Sequence, residues 1–209
     1  MEKERKLTEA EQKRLEMFME TEEKLIGEGY TENLLTVDLT KANILSVAVL
    51  FLTAAAFTFI FILINGKEPF AQMRRLLSPA LIAAFLVLTV VHELIHGLTW
   101  TVCSKGTFAD IAFGIDMKHL APYCCCRVPL SKKSHLTGTL MPLILLGIVP
   151  FIISLIIASV SLLVISVLMT DAATGDIMIA LKLARYKSTG EQLLVIDHPV
   201  EAGCAVFEI

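Results

Sequence analysis

Residues 79–103 read PALIAAFLVLTVVHELIHGLTWTVC and indicate the fold of the chain. A helix needs about 20 mostly apolar residues to cross the hydrocarbon core of a bilayer, and this stretch is long enough. It contains no Lys, Arg or Asp, but it carries three ionisable side chains, those of His92, Glu93 and His96. The stretch therefore predicts a membrane span that carries a functional polar site, rather than a span that only anchors the chain.

Two charge-free stretches lie on either side of this span. Residues 42–65 contain no charged side chain, and neither do the 35 residues at 136–170. One helix of that second length would measure about 52 Å, whereas the hydrocarbon core is about 30 Å thick. We therefore predict two spans there, at 136–156 and 159–182, joined by a turn near residues 154–159. The prediction is a membrane all-α fold with about four spans.

Positive charges predict on which side of the membrane the loops lie. With four spans, segments 1–41, 104–135 and 183–209 share one side and hold 7, 5 and 2 Lys/Arg, whereas the opposite side holds only 3. Lys and Arg favour the cytoplasmic side in short segments, so we expect a cytoplasmic N-terminus. A three-span chain with its tail outside is the alternative, and the tail's few charges oppose it only weakly.

Composition excludes other classes of protein. The chain has 209 residues, of which 55% are hydrophobic and 19% charged, with a net charge of −3. It has no basic cluster large enough to follow phosphates, which argues against a nucleic-acid partner. Five cysteines do not make a disulfide scaffold in a chain of this size. We divide the chain into an N-terminal helical segment, 1–41, and one membrane-embedded domain with a short tail, 42–209.

The N-terminal segment predicts an amphipathic helix. Thr8 and Glu11 have the spacing of a capping box, and Gly27 suits the end of the helix. A partial apolar stripe lies between these positions. The helix is equally compatible with the membrane surface, with packing on the tail and with solvent.

Small β elements are predicted outside the spans. Residues 108–115 favour a short strand paired with the stretch near 127–130, and such an element suits edge binding of an extended peptide. In the tail, residues 193–196 and 205–209 favour two strands around a turn. We interpret His198 as a histidine of that turn, with a second metal or proton-transfer role as the alternative.

The stretch from His92 to His96 is an HExxH motif. Residues four apart share one helix face, so both imidazoles can bind one metal ion while Glu93 reaches its water. Zn²⁺ is the expected ion, because catalytic zinc sites pair three protein ligands with one open position. An ionisable side chain deep in a span costs at least about 2.5–3.5 kcal/mol, and a metal would offset that cost. The alternative is a hydrogen-bonded polar cluster without a metal.

A third ligand must come from another part of the chain. With four spans, Asp176 lies near the cytoplasmic end of the fourth span, at the depth of His92 and His96. Asp171, about one turn deeper, is the competing candidate. The residues alone leave open whether Asp176 is a ligand or a helix cap.

Other polar residues are given structural roles. Adjacent cysteines cannot easily bind one ion together, so we interpret Cys124–Cys126 as structural, with metal binding or lipidation as alternatives. We expect His119 and His135 to be surface residues of a polar loop. We expect Trp100 to anchor the span at the membrane interface, although it could also border the site.

Four short motifs carry a resemblance to a known family. They are HELIHG at 92–97, Pro122-Tyr123, Met141-Pro142-Leu143 and Thr174-Gly175-Asp176-Ile177. Together they resemble the small bacterial membrane proteins catalogued as putative zincin peptidases, a domain of unknown function that is distantly similar to site-2 proteases. The resemblance covers about residues 42–209, and HExxH is its most specific part.

The resemblance implies a zinc metallopeptidase core in the bacterial cell membrane, acting on a membrane protein or peptide. By the family pattern, His92, His96 and Asp176 are metal ligands and Glu93 is the general base. Site-2 proteases usually carry Asn-Pro before an Asp-Gly near their third ligand, whereas this chain has Gly-Asp-Ile without the Asn-Pro.

Two other functions are weighed against a peptidase. One is a non-catalytic membrane protein with a structural or sensory metal site. The other is a small ion or metal carrier that uses His92 and Glu93 as a relay. The first and third predicted spans contain no ionisable residue, which counts against a carrier.

Overall fold

The computed structural model describes residues 8–75, 79–104, 106–116 and 121–209. The helices are α1 (Glu9–Gly27), α2 (Leu39–Asn65), α3 (Pro79–Ser104), α4 (Lys132–Pro142), α5 (Val149–Ile157), α6 (Val160–Ala172) and α7 (Thr174–Arg185). The strands are β1 (Thr31–Thr36), β2 (Ile111–Asp116), β3 (Ala121–Cys126), β4 (Leu130–Ser131), β5 (Leu193–Asp197) and β6 (Gly203–Glu208). Two 3₁₀ segments, Glu68–Arg75 and Phe108–Asp110, and a π-helical segment, Leu143–Ile148, complete the described elements. The predicted fold class, mostly helical with small β elements, is confirmed.

Three helices are long and apolar enough to cross a membrane. They are α2, α3 and the continuous helix Lys132–Ile157, which α4, the π-helical segment and α5 form together. Helices α6 and α7 make a fourth span if the pair counts as one, although the chain bends by 50° between them. The prediction of about four spans is confirmed, and the chain is a multi-pass membrane protein.

Capping residues determine where the spans begin and end. The Asp38 carboxylate accepts hydrogen bonds from backbone N–H groups of the first turn of α2, so this helix begins before residue 42. The Ser131 hydroxyl caps α4 in the same way, so the third span begins at Lys132 rather than at residue 136. The predicted turn near 154–159 is confirmed, because Ala158 adopts a left-handed conformation and Ser159 caps α6.

A four-stranded sheet joins the N-terminal segment, the loop after α3 and the tail. Its order is β1-β6-β5-β4, and all neighbouring strands are antiparallel. Thr31 pairs with Glu208, and Leu130 pairs with Val195. The tail strands therefore pair with strands from the segment before α2 and from the segment after α3, as the four-span arrangement predicts. The two predicted tail strands are confirmed as β5 and β6.

Helix α1 packs on this sheet. Thr8 and Glu11 form the predicted capping box, and the helix ends at Gly27 as expected. Its side chains Phe18 and Leu25 lie in one apolar cluster with side chains of the tail strands. Of the three environments considered for this helix, the structure shows packing on the tail.

The β hairpin after α3 differs from the prediction. Strand β2 pairs with β3, in a register that places Ile111 opposite Cys126, and not with the stretch near 127–130. In this register Ile111 and Cys126 are buried in a cluster with Trp100 and Leu130. Leu130 instead belongs to β4, which pairs with the tail.

Candidate metal centre

Two buried imidazoles project from one face of α3. His92 is 5% exposed and His96 is 4% exposed, and their ring centroids lie 4.9 Å apart. Residues four apart on a helix are neighbours, so α3 alone brings the two rings together. The outer face of the same helix is apolar and exposed, as Leu94 and Leu98 show. The helix therefore has one face with the buried imidazoles and one apolar face.

Asp176 reaches both imidazoles from the first turn of α7. Its Oδ2 atom lies 2.9 Å from His92 Nε2 and 3.4 Å from His96 Nε2. The bend at Ala173 directs this turn towards α3. Asp171, the competing candidate, lies on α6 before the bend and is not in this group, which contains only His92, His96 and Asp176 among the described residues.

The outer nitrogens of the two rings have different surroundings. His96 Nδ1 lies 2.9 Å from the Gly138 carbonyl oxygen, which can only accept, so Nδ1 carries a proton, and Nε2 is the ring nitrogen that faces Asp176. A histidine that binds a metal through Nε2 usually donates its other N–H in this way. His92 Nδ1 is buried and has no hydrogen-bond partner among the described residues.

This donor set fits a metal ion. One oxygen and two nitrogens all lie within 4.8 Å of one another. Ligands about 2.0–2.1 Å from a tetrahedral zinc ion are separated by about 3.3 Å, close to the two distances from Asp176 Oδ2. Two imidazoles and a carboxylate also match the ligand types of catalytic zinc sites. The cluster therefore suggests a metal ion.

Glu93 lies beside the three ligands, where the β hairpin approaches α3. The backbone N–H of Cys124, in β3, faces its carboxylate. This approach depends on Gly97, because a Cβ atom there would lie 2.8 Å from the Phe113 ring and 2.9 Å from Ile111. The glycine that follows the HExxH motif thus allows the hairpin to pack next to Glu93.

A cavity of about 420 Å³ opens beside these groups. Its lining combines α3, β3, α4, α7, α1 and the tail, and includes His92, Glu93, Tyr123, Asp176, Asp197 and Arg14. Arg14 of α1 stacks over the Tyr123 ring at 4.9 Å and donates a hydrogen bond to the Pro199 carbonyl. Helix α1 and the tail therefore form part of the wall of the cavity.

Two sequence expectations near the site are wrong. His135 is 1% exposed rather than a surface residue, because α4 begins at Lys132 and carries it into the interior. Trp100 is 4% exposed and stacks on His96 with ring centroids 5.2 Å apart, so it borders the site instead of anchoring the span. His119 lies outside the described residues. His198 is a turn histidine as expected, since its Nδ1 accepts from the Glu201 N–H.

Asp197 and Gly138 are site residues that the sequence did not reveal. Asp197 ends β5 and contacts His135, 62 positions away in the chain. A tail aspartate in a turn carries no local pattern that indicates such a contact. For Gly138, the one available signal was a glycine in the first turns of an apolar helix, where a packing role is common.

The three adjacent cysteines pack in the hairpin. Burial raises the pKa of the Cys125 and Cys126 thiols to about 12, and that of Cys124 also lies well above its usual range for the same reason. Cys126 is 1% exposed and belongs to the Trp100 cluster. None of them belongs to a metal-binding group among the described residues. Thiols that stay protonated in this way are weak metal ligands and weak nucleophiles.

A comparison with protein-family models identifies the family. The model described as "Putative zincin peptidase" matches residues 85–189, which is half of the chain. The chain belongs to this zincin peptidase family. The matched range contains the whole HExxH motif and Asp176. It leaves out α1, α2 and the tail strands β5 and β6. The curated proteins and the solved structures contain no significant match to the chain.

Proposed function

We propose that this zincin peptidase family member is a membrane-embedded zinc metalloendopeptidase. His92, His96 and Asp176 hold the zinc ion, and Glu93 is the general base. The observation that carries the proposal is the convergence of two buried Nε2 atoms and one carboxylate oxygen next to Glu93, in a cavity large enough for part of a peptide.

Glu93 and the metal have separate tasks in this mechanism. When bound, zinc supplies Lewis acidity, which polarises a peptide carbonyl and acidifies a water molecule. The Glu93 carboxylate accepts the proton of the attacking water and returns it to the nitrogen of the departing amine. The Gly138 carbonyl keeps the proton of His96 on Nδ1, so that Nε2 stays free for the metal. The half-buried position of Glu93 keeps bulk water from competing for the proton.

The substrate is proposed to be an extended peptide segment. Among the described strands, β3 pairs only with β2, so its other edge has no partner strand. Three residues of β3, Pro122, Tyr123 and Cys124, line the cavity, so a segment bound there would lie alongside this strand. An extended segment can add to such an edge through its backbone. A transmembrane substrate helix must unwind first, because its carbonyls are otherwise occupied by helical hydrogen bonds.

The chain is proposed to span a bacterial cell membrane. Its candidate metal centre is proposed to open towards the cytoplasm. The four-stranded sheet takes strands from segments 1–41, 104–135 and 183–209, which supports a common side for them. These segments hold 14 of the 17 Lys/Arg outside the fourth span. Positive charges favour the cytoplasmic side. Water then enters the cavity from the cytoplasm, past α1 and the tail.

Cleavage by purified chain in detergent micelles tests the proposal. A proteome-derived peptide library is incubated with zinc-loaded wild type and with Glu93→Gln, and new peptide ends are counted by mass spectrometry. General-base catalysis is worth about 10²–10⁴-fold, so we expect Glu93→Gln to lose that factor in rate while it keeps its zinc.

Leu94→Ala is the matched control, because Leu94 is the next residue of α3 and is 40% exposed on the outer face. It should cleave at the wild-type rate. If Glu93→Gln cleaves as fast as Leu94→Ala, Glu93 is not the base and the proposed mechanism fails.

A further inference from the structure

We propose that Asp197, in the C-terminal tail, is a positioning residue of the metal centre: it fixes helix α4 and, through α4, the imidazole of His96. The inference rests on the proposed function, since it concerns the ligand set of that site. It assigns a task to a part of the chain that the family model does not cover, because the matched range ends at residue 189.

Asp197 links three separate elements through short hydrogen bonds. Its Oδ1 atom lies 2.7 Å from His135 Nε2, on α4. Its Oδ2 atom accepts from the Cys126 N–H of β3 at 2.7 Å. The Asp197 side chain is only 11% exposed, so both contacts are protected from solvent. Hydrogen bonds to a carboxylate are roughly twice as strong as those between neutral groups. Asp197 therefore holds α4 and β3 at a defined distance from the tail sheet.

His135 cannot itself act on a substrate in this arrangement. Its Nε2 atom is occupied by Asp197, and its Nδ1 atom lies 3.2 Å from the Thr139 hydroxyl. With 1% of its surface exposed, the imidazole has no nitrogen left for a substrate. The role that these contacts support is to hold the first turns of α4 in place.

Helix α4 in turn holds two side chains of α3. The His135 carbonyl accepts a hydrogen bond from Trp100 Nε1 at 3.2 Å, and the Gly138 carbonyl lies 2.9 Å from His96 Nδ1. The Trp100 ring stacks on the His96 ring at an interplanar angle of 17°. Two carbonyls of one helix thus orient a metal ligand and the ring against which it stacks. A shift of α4 would move both together.

Removal of Asp197 would leave two buried donors or acceptors unpaired, His135 Nε2 and the Cys126 N–H. Such groups carry a desolvation penalty, so α4 and β3 would move to find partners. Outer-shell partners of metal-binding histidines typically affect metal affinity by about 10–100-fold. We expect a loss of that size for Asp197→Ala, although Asp197 does not touch the metal ligands.

The test measures Co²⁺ binding to the full chain in detergent micelles, without a substrate. Two signals are recorded, the visible absorption of bound Co²⁺ and the fluorescence of Trp100, which is the chain's single tryptophan. The variants are Asp197→Ala, Asp197→Asn and the control Glu191→Ala, which removes an exposed carboxylate from the same tail. Should Asp197→Ala not fold, Asp197→Ser replaces it, because one short hydroxyl cannot reach both partners.

We expect Asp197→Ala to bind Co²⁺ about 10–100-fold more weakly than wild type, with a changed absorption band and a shifted Trp100 emission maximum. Asp197→Asn should restore most of the affinity, because its oxygen can accept from Cys126 and its amide can donate to His135. Glu191→Ala should match wild type in both signals.

Equal Co²⁺ affinity and equal spectra for Asp197→Ala and Glu191→Ala would overturn the positioning role while the proposed function stands. An Asp197→Asn variant as weak as Asp197→Ala would also overturn it, since the loss would then follow the charge. If wild type binds no Co²⁺, the proposed metallopeptidase function fails instead. The Trp100 emission then decides: a shift in Asp197→Ala alone supports the link to α4, and identical emission refutes it.

Discussion

Helices α2 and α3 are almost equal in length, at 27 and 26 residues, yet they bury different kinds of side chain. Helix α2 buries only Ala42 and Phe61, and from residue 42 to residue 65 it carries no charged side chain. Helix α3 buries His92, His96, a glycine and a tryptophan, and it exposes apolar side chains such as Leu94 and Leu98. Over the most apolar 18 residues of each helix, the mean hydropathy is 2.8 for α2 and 2.0 for α3, which is a modest difference. Hydropathy therefore identifies both helices as spans. The position of the polar residues shows which of the two, α3, carries the candidate metal centre.

The difference has a physical basis. An ionisable side chain in a span is tolerated when it faces the protein interior and finds a partner. The two histidines of α3 meet Asp176, and His96 also meets the Gly138 carbonyl. Helix α2 contributes no residue to the group of possible metal ligands among the described residues, although its first turns line the cavity. Changes in α2 should therefore affect stability, whereas changes around α3 should affect metal binding as well.

The largest expected effect on stability is that of Phe61→Ala in α2. Phe61 is fully buried and contacts Phe70 edge to face, with ring centroids 5.5 Å apart. Truncation of a buried phenylalanine costs about 3–5 kcal/mol, so we expect that drop in the free energy of unfolding in an SDS titration. Zinc content per folded chain should stay at the wild-type level.

Phe51→Ala is the control within the same helix. Phe51 is 70% exposed on the lipid-facing side, and its truncation should change the free energy of unfolding by less than about 0.5 kcal/mol. If Phe61→Ala loses zinc while it remains folded, the claim that changes in α2 affect stability but not metal binding is contradicted.

A smaller effect is expected for Gly138→Ala, on the helix that supports the α3 ligands. A Cβ atom at this position would lie 2.1 Å from the Trp100 ring, so the ring or α4 must move. Overpacking of this kind costs about 1–3 kcal/mol. The Gly138 carbonyl would also shift away from His96, so zinc affinity should fall together with stability, as SDS titration and zinc competition would measure.

Gly175→Ala provides the matched comparison, because a Cβ atom there would meet nothing within 4 Å. Alanine is favoured over glycine in a helix by up to about 1 kcal/mol, so this variant should be as stable as wild type or slightly more so. Equal stability and zinc affinity of the two alanine variants would show that α4 does not support His96.

Local patterns predicted a large part of the molecule. Charge-free length located the spans, the Thr8–Glu11 spacing located the start of α1, and the tail alternation located β5 and β6. The HExxH spacing placed His92 and His96 on one buried face, because i and i+4 positions share a face in any α-helix. These features depend on neighbouring residues only, so the sequence contains them directly.

Features that depend on distant contacts were predicted poorly. The hairpin register follows from burial of Ile111 and Cys126 against Trp100, which no strand pattern shows. The link from His135 to Asp197 joins residues 62 positions apart. The sequence favoured Asp176 but left Asp171 as a competitor, because the choice depends on a 50° bend between α6 and α7 that no proline marks. In each case tertiary packing, and not local propensity, decides the outcome.

Zinc content per chain is the most direct test of the proposed metal centre. The full chain is purified in detergent, dialysed against a weak chelator and measured by inductively coupled plasma mass spectrometry, as wild type, Asp176→Ala and Asp171→Ala. The three-ligand centre predicts about one zinc ion per chain in wild type and in Asp171→Ala, and almost none in Asp176→Ala. A wild-type chain without zinc, or an Asp176→Ala chain that keeps it, would contradict the account.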